Sequence, residues 1–225
     1  MCVLAFAWRA HPRWRLVAAG NRDELHARAA APLAAWDNGI VAGRDLVSGG
    51  TWMGVRGERF AVVTNVRGET PAPAPRSRGE LVTDALLGAE SHRPQDYGAF
   101  NLVTVGRDAA TFSTNRPAAA RHALAPGVYG LANAGLDEPW PKTVRLKAIL
   151  ADWLAGPADE PAQLLAGLAE EVPEDPALSG IFIRHPVYGT RCSTVVAIAA
   201  DGAGVIVERR FTPAGDPCGE TRIAF

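Results

Sequence analysis

Metal-ligand spacing is missing from this chain. None of its five histidines falls into HxxxH or HExxH and no CxxC occurs, so the pattern of a structural zinc site is absent. Cysteine is scarce. Cys2, Cys192 and Cys218 make three, an odd count without paired spacing, which argues against a disulfide framework. Neither sign of charge dominates. The 23 basic and 24 acidic residues leave a formal net charge of -1, giving no electrostatic handle for nucleic acid or an anionic membrane surface. Long apolar runs are lacking too. No stretch approaches the roughly 20 residues that span a bilayer, and Arg9, Arg13 and Arg15 interrupt the N-terminal apolar stretch, so no signal-peptide core forms. The expectation is a reduced, cytoplasmic protein without a transmembrane segment.

What is present is ordinary globular material. The 225 residues are 48% apolar and 21% charged, enough for one domain over 1–225 with a large core. No internal repeat is visible. The one linker-like stretch, ETPAPAPRSR at 69–78, reads as an extended surface loop. Strands are predicted at 2–8, 15–20, 39–43, 52–55 and 59–65, from short runs rich in Val and aromatics. The spacing predicts a helix over 79–88, a hairpin over 101–114 turning at Gly106-Arg107-Asp108, and a strand at 127–133. Residues 139–155 predict the strongest helix, with Val144, Leu146, Ile149, Leu150, Trp153 and Leu154 on one broad face. A further helix near 160–171 precedes C-terminal strands. Sheet, helices and sheet again suggest a layered α+β domain.

The residue with distinctive chemistry is Cys2. Removal of Met1 would expose an α-amine and a thiol on one residue. An α-amine has a pKa near 7.7–8.0, so about a tenth or more is an unprotonated base at neutral pH. It can take the thiol proton directly or through one water. The plain alternative is a small apolar residue opening a buried strand. Partners for a nucleophile stand in AAGNRDELHAR (18–28). A hairpin from residues 2–8 to 15–20 would bring Asn21, Arg22, Asp23 and Glu24, just past the predicted strand, beside Cys2. There an arginine would lower the thiol pKa and an aspartate would accept bonds from the α-ammonium. The same four residues also suit a solvated turn.

Other features carry less. His26 lies two residues past that tetrapeptide, and Cys192, beside Arg191, reads as a buried strand thiol or a neighbour of the site. Cys218 reads as an exposed loop cysteine. SGGTWMG (48–54) lacks the Lys-Ser/Thr of a phosphate loop and reads as a tight turn, with Trp52 in the core or lining a pocket. Arg67, Arg76 and Arg78 suit either an anionic ligand or a solvated loop.

Several ordered motifs together carry a resemblance: MCVLAFAW at the start, NRDE at 21–24, GGTWMGV at 49–55, Thr64-Asn65, RGELV at 78–82, YGLANA at 129–134 and YGTR at 188–191. The chain resembles, over its whole length, the NRDE family of transport and Golgi organisation protein 2-like proteins. That family is similar to N-terminal-nucleophile hydrolases. The resemblance implies a four-layer αββα sandwich with Cys2 as nucleophile and Arg22 and Asp23 in contact with it. It implies Asn133 as an oxyanion donor, Asn65 in a second positioning role and Arg191 near the nucleophile. Asn21, Glu24, His26 and Trp52 are candidate substrate contacts. The chain departs from the family's pattern after NRDE, where Leu25-His26-Ala27-Arg28-Ala29 has no proline next to Arg28, and before YGTR, where Pro186-Val187 replaces a common glycine. Both bear on the pocket mouth and leave the substrate open.

Two functions follow. In the first, Cys2 attacks a carbonyl of a small non-peptide amide or thioester, as a hydrolase or acyltransferase with no required cofactor. In the second, the same fold carries haem, acyl-CoA or a lipid without catalysis, with haem as a candidate ligand. A structural module is the bland third reading.

Overall fold

The computed structural model describes residues 2–68, 74–89, 93–172 and 179–225. Met1, the first half of the proline-rich stretch (69–73) and His92 lie outside the described residues. The chain forms two antiparallel sheets and a few helices, and groups into two compact units. One unit comprises Met1–Ala27, Pro126–Ala132 and Leu136–Phe225; the other comprises Arg28–Ala125 and Asn133–Gly135.

The first unit is built on six strands: β1 (Val3–Trp8), β2 (Trp14–Leu25), β10 (Gly127–Leu131), β11 (Tyr188–Ala199), β12 (Gly204–Phe211) and β13 (Pro217–Ala224). Their order is β10-β1-β2-β11-β12-β13. Strand alternation gives the sheet two apolar faces. Val3, Ala5, Val17 and Val195 pack with Leu146 and Leu150 of α2 (Pro141–Ala155) and Leu164 of the short α3 (Leu164–Gly167). Leu4, Phe6 and Leu16 are buried on the other face, where Phe6 stacks on Tyr129 at 5.2 Å. Helix α2 starts with Pro141 at a position whose missing N–H costs nothing, and it ends at Gly156. It closes on β10 so tightly that a Cβ on Gly130 would lie 2.4 Å from Thr143 Cγ2.

The second unit holds β3 (Ala30–Ala35), β4 (Val41–Asp45), β5 (Met53–Arg56), β6 (Arg59–Asn65), β7 (Phe100–Val105), β8 (Ala110–Thr114) and β9 (Ala120–Ala123), paired in chain order. Helix α1 (Arg78–Leu87) covers this sheet with Leu81, Val82 and Leu86. Ser77 starts it with a capping box, accepting from the Gly79 N–H at 3.3 Å and donating its own N–H to Glu80 Oε1 at 2.9 Å. The GGTW turn lies directly on this helix start. A Cβ on Gly50 would sit 2.6 Å from the Gly79 carbonyl carbon, which requires glycine there.

The sequence expectations need four corrections. Strand β2 does not stop before NRDE. It runs to Leu25, because the 12-residue β11 stays paired with it past the point where β1 ends. Val144 is 53% exposed: two residues from Leu146 on a helix is a turn of about 200°, which puts it on the opposite side. The helix expected near 160–171 is a 3₁₀ turn, Pro161–Gln163, followed by the single turn of α3. Cys218 is exposed but sits in β13 rather than a loop. Among the described residues no helix is long and apolar enough to cross a membrane.

Candidate active site

Cys2 is buried at the entry to β1, one residue before the ladder begins with Val3 opposite Asn21. The next position along β2 is Arg22, which in turn stands opposite Cys192 of β11. Period-two alternation places Cys2, Arg22 and Cys192 on one face, and Val3, Asn21 and Asp23 on the other. The Asp23 backbone N–H hydrogen-bonds the Cys2 sulfur and favours the thiolate, as does the Arg22 charge, but burial outweighs both and pushes the thiol pKa up. The expectation that Arg22 makes the thiol acidic is therefore met in direction and overridden in sum. Cys192 is also buried, and burial raises its thiol well above the ordinary value. With β2 between them, at about 4.8 Å per strand spacing, Cys2 and Cys192 are too far apart for a disulfide.

The Asp23 carboxyl is strongly perturbed. Burial raises its pKa from 3.8 to about 6, against the opposing pull of the chain's N-terminal charge, of Lys142, of a hydrogen bond from Thr190 and of Arg22. Thr190 Oγ1 donates to Asp23 Oδ1 at 2.7 Å, and Tyr188 donates its hydroxyl to the Asp23 carbonyl at 3.0 Å. Lys142 is itself 4% exposed, in the first turn of α2. Sequence reading missed both Thr190 and Lys142. Thr190 had a signal, its place inside YGTR; Lys142 had none, since a lysine in a first helical turn ordinarily reads as solvated.

The remaining NRDE residues divide by face. Asn21 is fully buried, and its amide donates to the carbonyls of Leu168 at 2.8 Å and Ile181 at 2.9 Å while accepting from Ser193 Oγ at 2.6 Å. It ties the sheet to the segments beneath α2. Glu24 lies 3.6 Å from the Arg22 guanidinium and is partly exposed. His26 Nε2 meets the His185 carbonyl at 2.8 Å. A register shift between Thr190 and Cys192 leaves Arg191 as the extra residue of a bulge. Its guanidinium donates to the carbonyls of Leu25 at 3.0 Å and His26 at 2.9 Å, closing the chain turn after NRDE.

Asn65, Asn133 and Trp52 belong to the other unit. Asn133 is buried, and its side-chain NH₂ donates to both the backbone carbonyl and Oδ1 of Asn65, at 2.9 and 2.7 Å. Asn101 donates to the Ala134 carbonyl at 2.6 Å, so two amides organise the YGLANA end. Trp52 is half-buried beside β6. The arginines of the proline-rich stretch have protein partners: Arg76 bonds Glu80 and Asp84, each at 2.9 Å, and Arg78 donates to the Ala99 carbonyl. Among the described residues no cluster of three or more His, Cys, Asp or Glu could hold a metal ion.

Comparison with known proteins agrees with the motif reading at the level of family. Residues 1–213 match the family model for Transport and Golgi organisation 2. The cattle Transport and Golgi organization protein 2 homolog is 32% identical over 93% of this chain and 92% of its own. The human homolog is 30% identical over the same shares. The Drosophila melanogaster Transport and Golgi organization protein 2 is 25% identical over 98% of this chain and 95% of its own. The chain belongs to the transport and Golgi organisation 2 family.

Proposed function

We propose that the protein is an N-terminal-cysteine hydrolase or acyltransferase acting on a small non-peptide amide or thioester, in the manner of N-terminal-nucleophile hydrolases and with their four-layer αββα arrangement. The observation that carries the reading is the end of β2: a buried Cys2 thiol flanked by Arg22, and a buried Asp23 carboxyl whose pKa stands at about 6. A carboxyl held buried and proton-affine beside a thiol is a feature of working sites more than of stable cores.

Loss of Met1 is part of the proposal. The freed α-amine takes the Cys2 thiol proton, and Sγ attacks the acyl carbon. The S–C bond forms, the C–N or C–S bond of the substrate breaks, and the α-ammonium returns the proton to the leaving group. Water or an acceptor amine then attacks the thioester and regenerates the thiol. Because burial holds the thiol protonated at rest, a base is required, and the α-amine supplies it. Asn133 enters the proposal as the oxyanion donor that the resemblance implies, with Asn65 in a second positioning role. Arg191 enters as the arginine near the nucleophile, held by the carbonyls of Leu25 and His26.

The test is intact-mass and N-terminal peptide analysis around brief, substoichiometric thiol labelling. Loss of Met1 with Cys2 labelled ahead of Cys192 and Cys218 supports the reading; retained Met1, or Cys2 labelling no faster than free cysteine, overturns it. Two observations favour the carrier reading instead: the raised thiol pKa suits a packing group more than a nucleophile, and the relatives are named for transport and Golgi organisation. Saturable spectral change with haem, or acyl-CoA binding at about micromolar Kd, unaltered turnover aside, would support it.

A further inference from the structure

We infer that Thr190 is a positioning residue for the Cys2 nucleophile, acting through the carboxylate of Asp23. The inference rests on the reading of Cys2 just proposed. Thr190 stands opposite Asp23 in the β2–β11 ladder and is 1% exposed. Its hydroxyl accepts the Ile183 backbone N–H at 2.9 Å and donates to Asp23 Oδ1 at 2.7 Å. A hydroxyl has one proton. With Ile183 occupying an acceptor direction, that proton is aimed at the carboxyl and does not rotate freely. The Ile183 carbonyl also accepts the Thr190 backbone N–H at 2.9 Å, so the residue is clamped from both its main chain and its side chain.

The bulge after Thr190 has a purpose in this arrangement. It keeps Thr190 in register with Asp23 while Arg191 leaves the ladder for the turn carbonyls. Charged and titratable groups act on Asp23 from each packed element: the chain's N-terminal amine and Cys2 ahead of β1, Arg22 on β2, Lys142 on α2, with Tyr188 of β11 bonding its main chain. Burial drives the carboxyl toward its neutral form. Thr190 opposes this with a charge-assisted hydrogen bond that only the ionised carboxylate accepts in full. In the mechanism proposed above, an ionised Asp23 is the acceptor for the freed α-amine of Cys2, whereas a neutral one competes with it as a donor. Thr190 thus sets the pH above which the amine is held in place.

The experiment uses the full chain, with Met1 loss verified by mass, as wild type, Thr190→Val and Thr190→Ser. Two quantities are followed against pH: the Asp23 carboxyl by ¹³C NMR, and the rate of Cys2 alkylation by iodoacetamide from peptide masses. In Thr190→Val the Asp23 midpoint is expected to move upward by about one pH unit, and the acid limb of the alkylation profile moves with it. Thr190→Ser, which keeps the hydroxyl, restores both. If Thr190→Val does not fold, Thr190→Ala takes its place with the same expectation. An unmoved Asp23 midpoint, or a serine variant that behaves like valine, overturns the inference. Fast Cys2 labelling with an unmoved midpoint overturns the Thr190 role alone. A moved midpoint with Cys2 labelling no faster than free cysteine at any pH overturns the nucleophile reading, and the role of Thr190 with it.

Discussion

Asp23→Asn should make the protein less sensitive to alkali than the wild type. The folded chain holds the Asp23 proton up to about pH 6, whereas an unfolded aspartate releases it near the ordinary value of 3.8. A carboxyl whose folded pKa is raised favours the native state fully only below the unfolded value. That advantage is lost as pH climbs from about 4 to about 6, because the unfolded chain has released a proton that the folded chain must then give up. At 1.36 kcal/mol per pKa unit, the full penalty above about pH 7 is about 3 kcal/mol, of which about 1 kcal/mol is already present near pH 4.5. Asparagine never ionises and keeps an oxygen for the Thr190 hydroxyl. The attraction of Lys142 for the carboxylate is already contained in the folded-state value, so it adds nothing further to the difference between the two proteins. The measurement is urea unfolding of both proteins at several pH values between about 4.5 and 8. The stability difference, variant minus wild type, should grow by about 2 kcal/mol across the range. A flat difference, or one that shrinks with pH, would refute the assignment of a buried, proton-affine carboxyl to this position.

Cys2→Ser and Cys2→Ala should abolish covalent labelling at the terminus and any turnover found, with unfolding midpoints near wild type; turnover unchanged in both would end the catalytic reading. Arg22→Gln should slow Cys2 alkylation near neutral pH by raising the thiol further, since Arg22 is one of the charges that pull it down, and equal rates for the two proteins would show that the guanidinium does not act on the sulfur. Ser77→Ala should destabilise by about 1 kcal/mol through loss of the α1 capping bond, read as a lower urea midpoint with an unchanged slope.

The elements that sequence reading located are those whose signal is local. β1, β6, the β7–β8 hairpin and α1 each carry their own alternation, turn or cap, and each lies where the pattern puts it. β3 and β9 escaped because AAPLAA and ARHA offer alanine and an internal proline instead of β-branched residues; pairing with β4 and β8 makes them strands. The end of β2 escaped for the same reason in reverse. Four polar residues read as a turn until β11, arriving from 167 positions away at the Thr190–Asp23 pair, supplies the missing partners. Cys2 and NRDE were legible as a pair because they are neighbours along a hairpin. Thr190 and Lys142 were not, since nothing local marks a threonine or a lysine as buried against an aspartate.

Placing NRDE inside a strand changes what the motif means. In a turn, four consecutive polar side chains would spread toward solvent. In a strand they alternate. Asn21 and Asp23 point to the helix-covered face, where one ties down the segments below α2 and the other meets Thr190 and Lys142. Arg22 and Glu24 lie on the face that Cys2 shares, within 3.6 Å of each other. The tetrapeptide is therefore two interleaved pairs, one anchoring and one facing the thiol. Burying an asparagine and an aspartate at a sheet end is unfavourable unless their partners are supplied, and the structure supplies them from β11, α2 and the carbonyls of Leu168 and Ile181. Apolar residues at 21 and 23 would fill the same face with less to satisfy. Besides the role proposed for the Asp23 carboxyl, the polar pair fixes the backbone between them, which presents the Asp23 N–H to the Cys2 sulfur while the Arg22 charge acts on it.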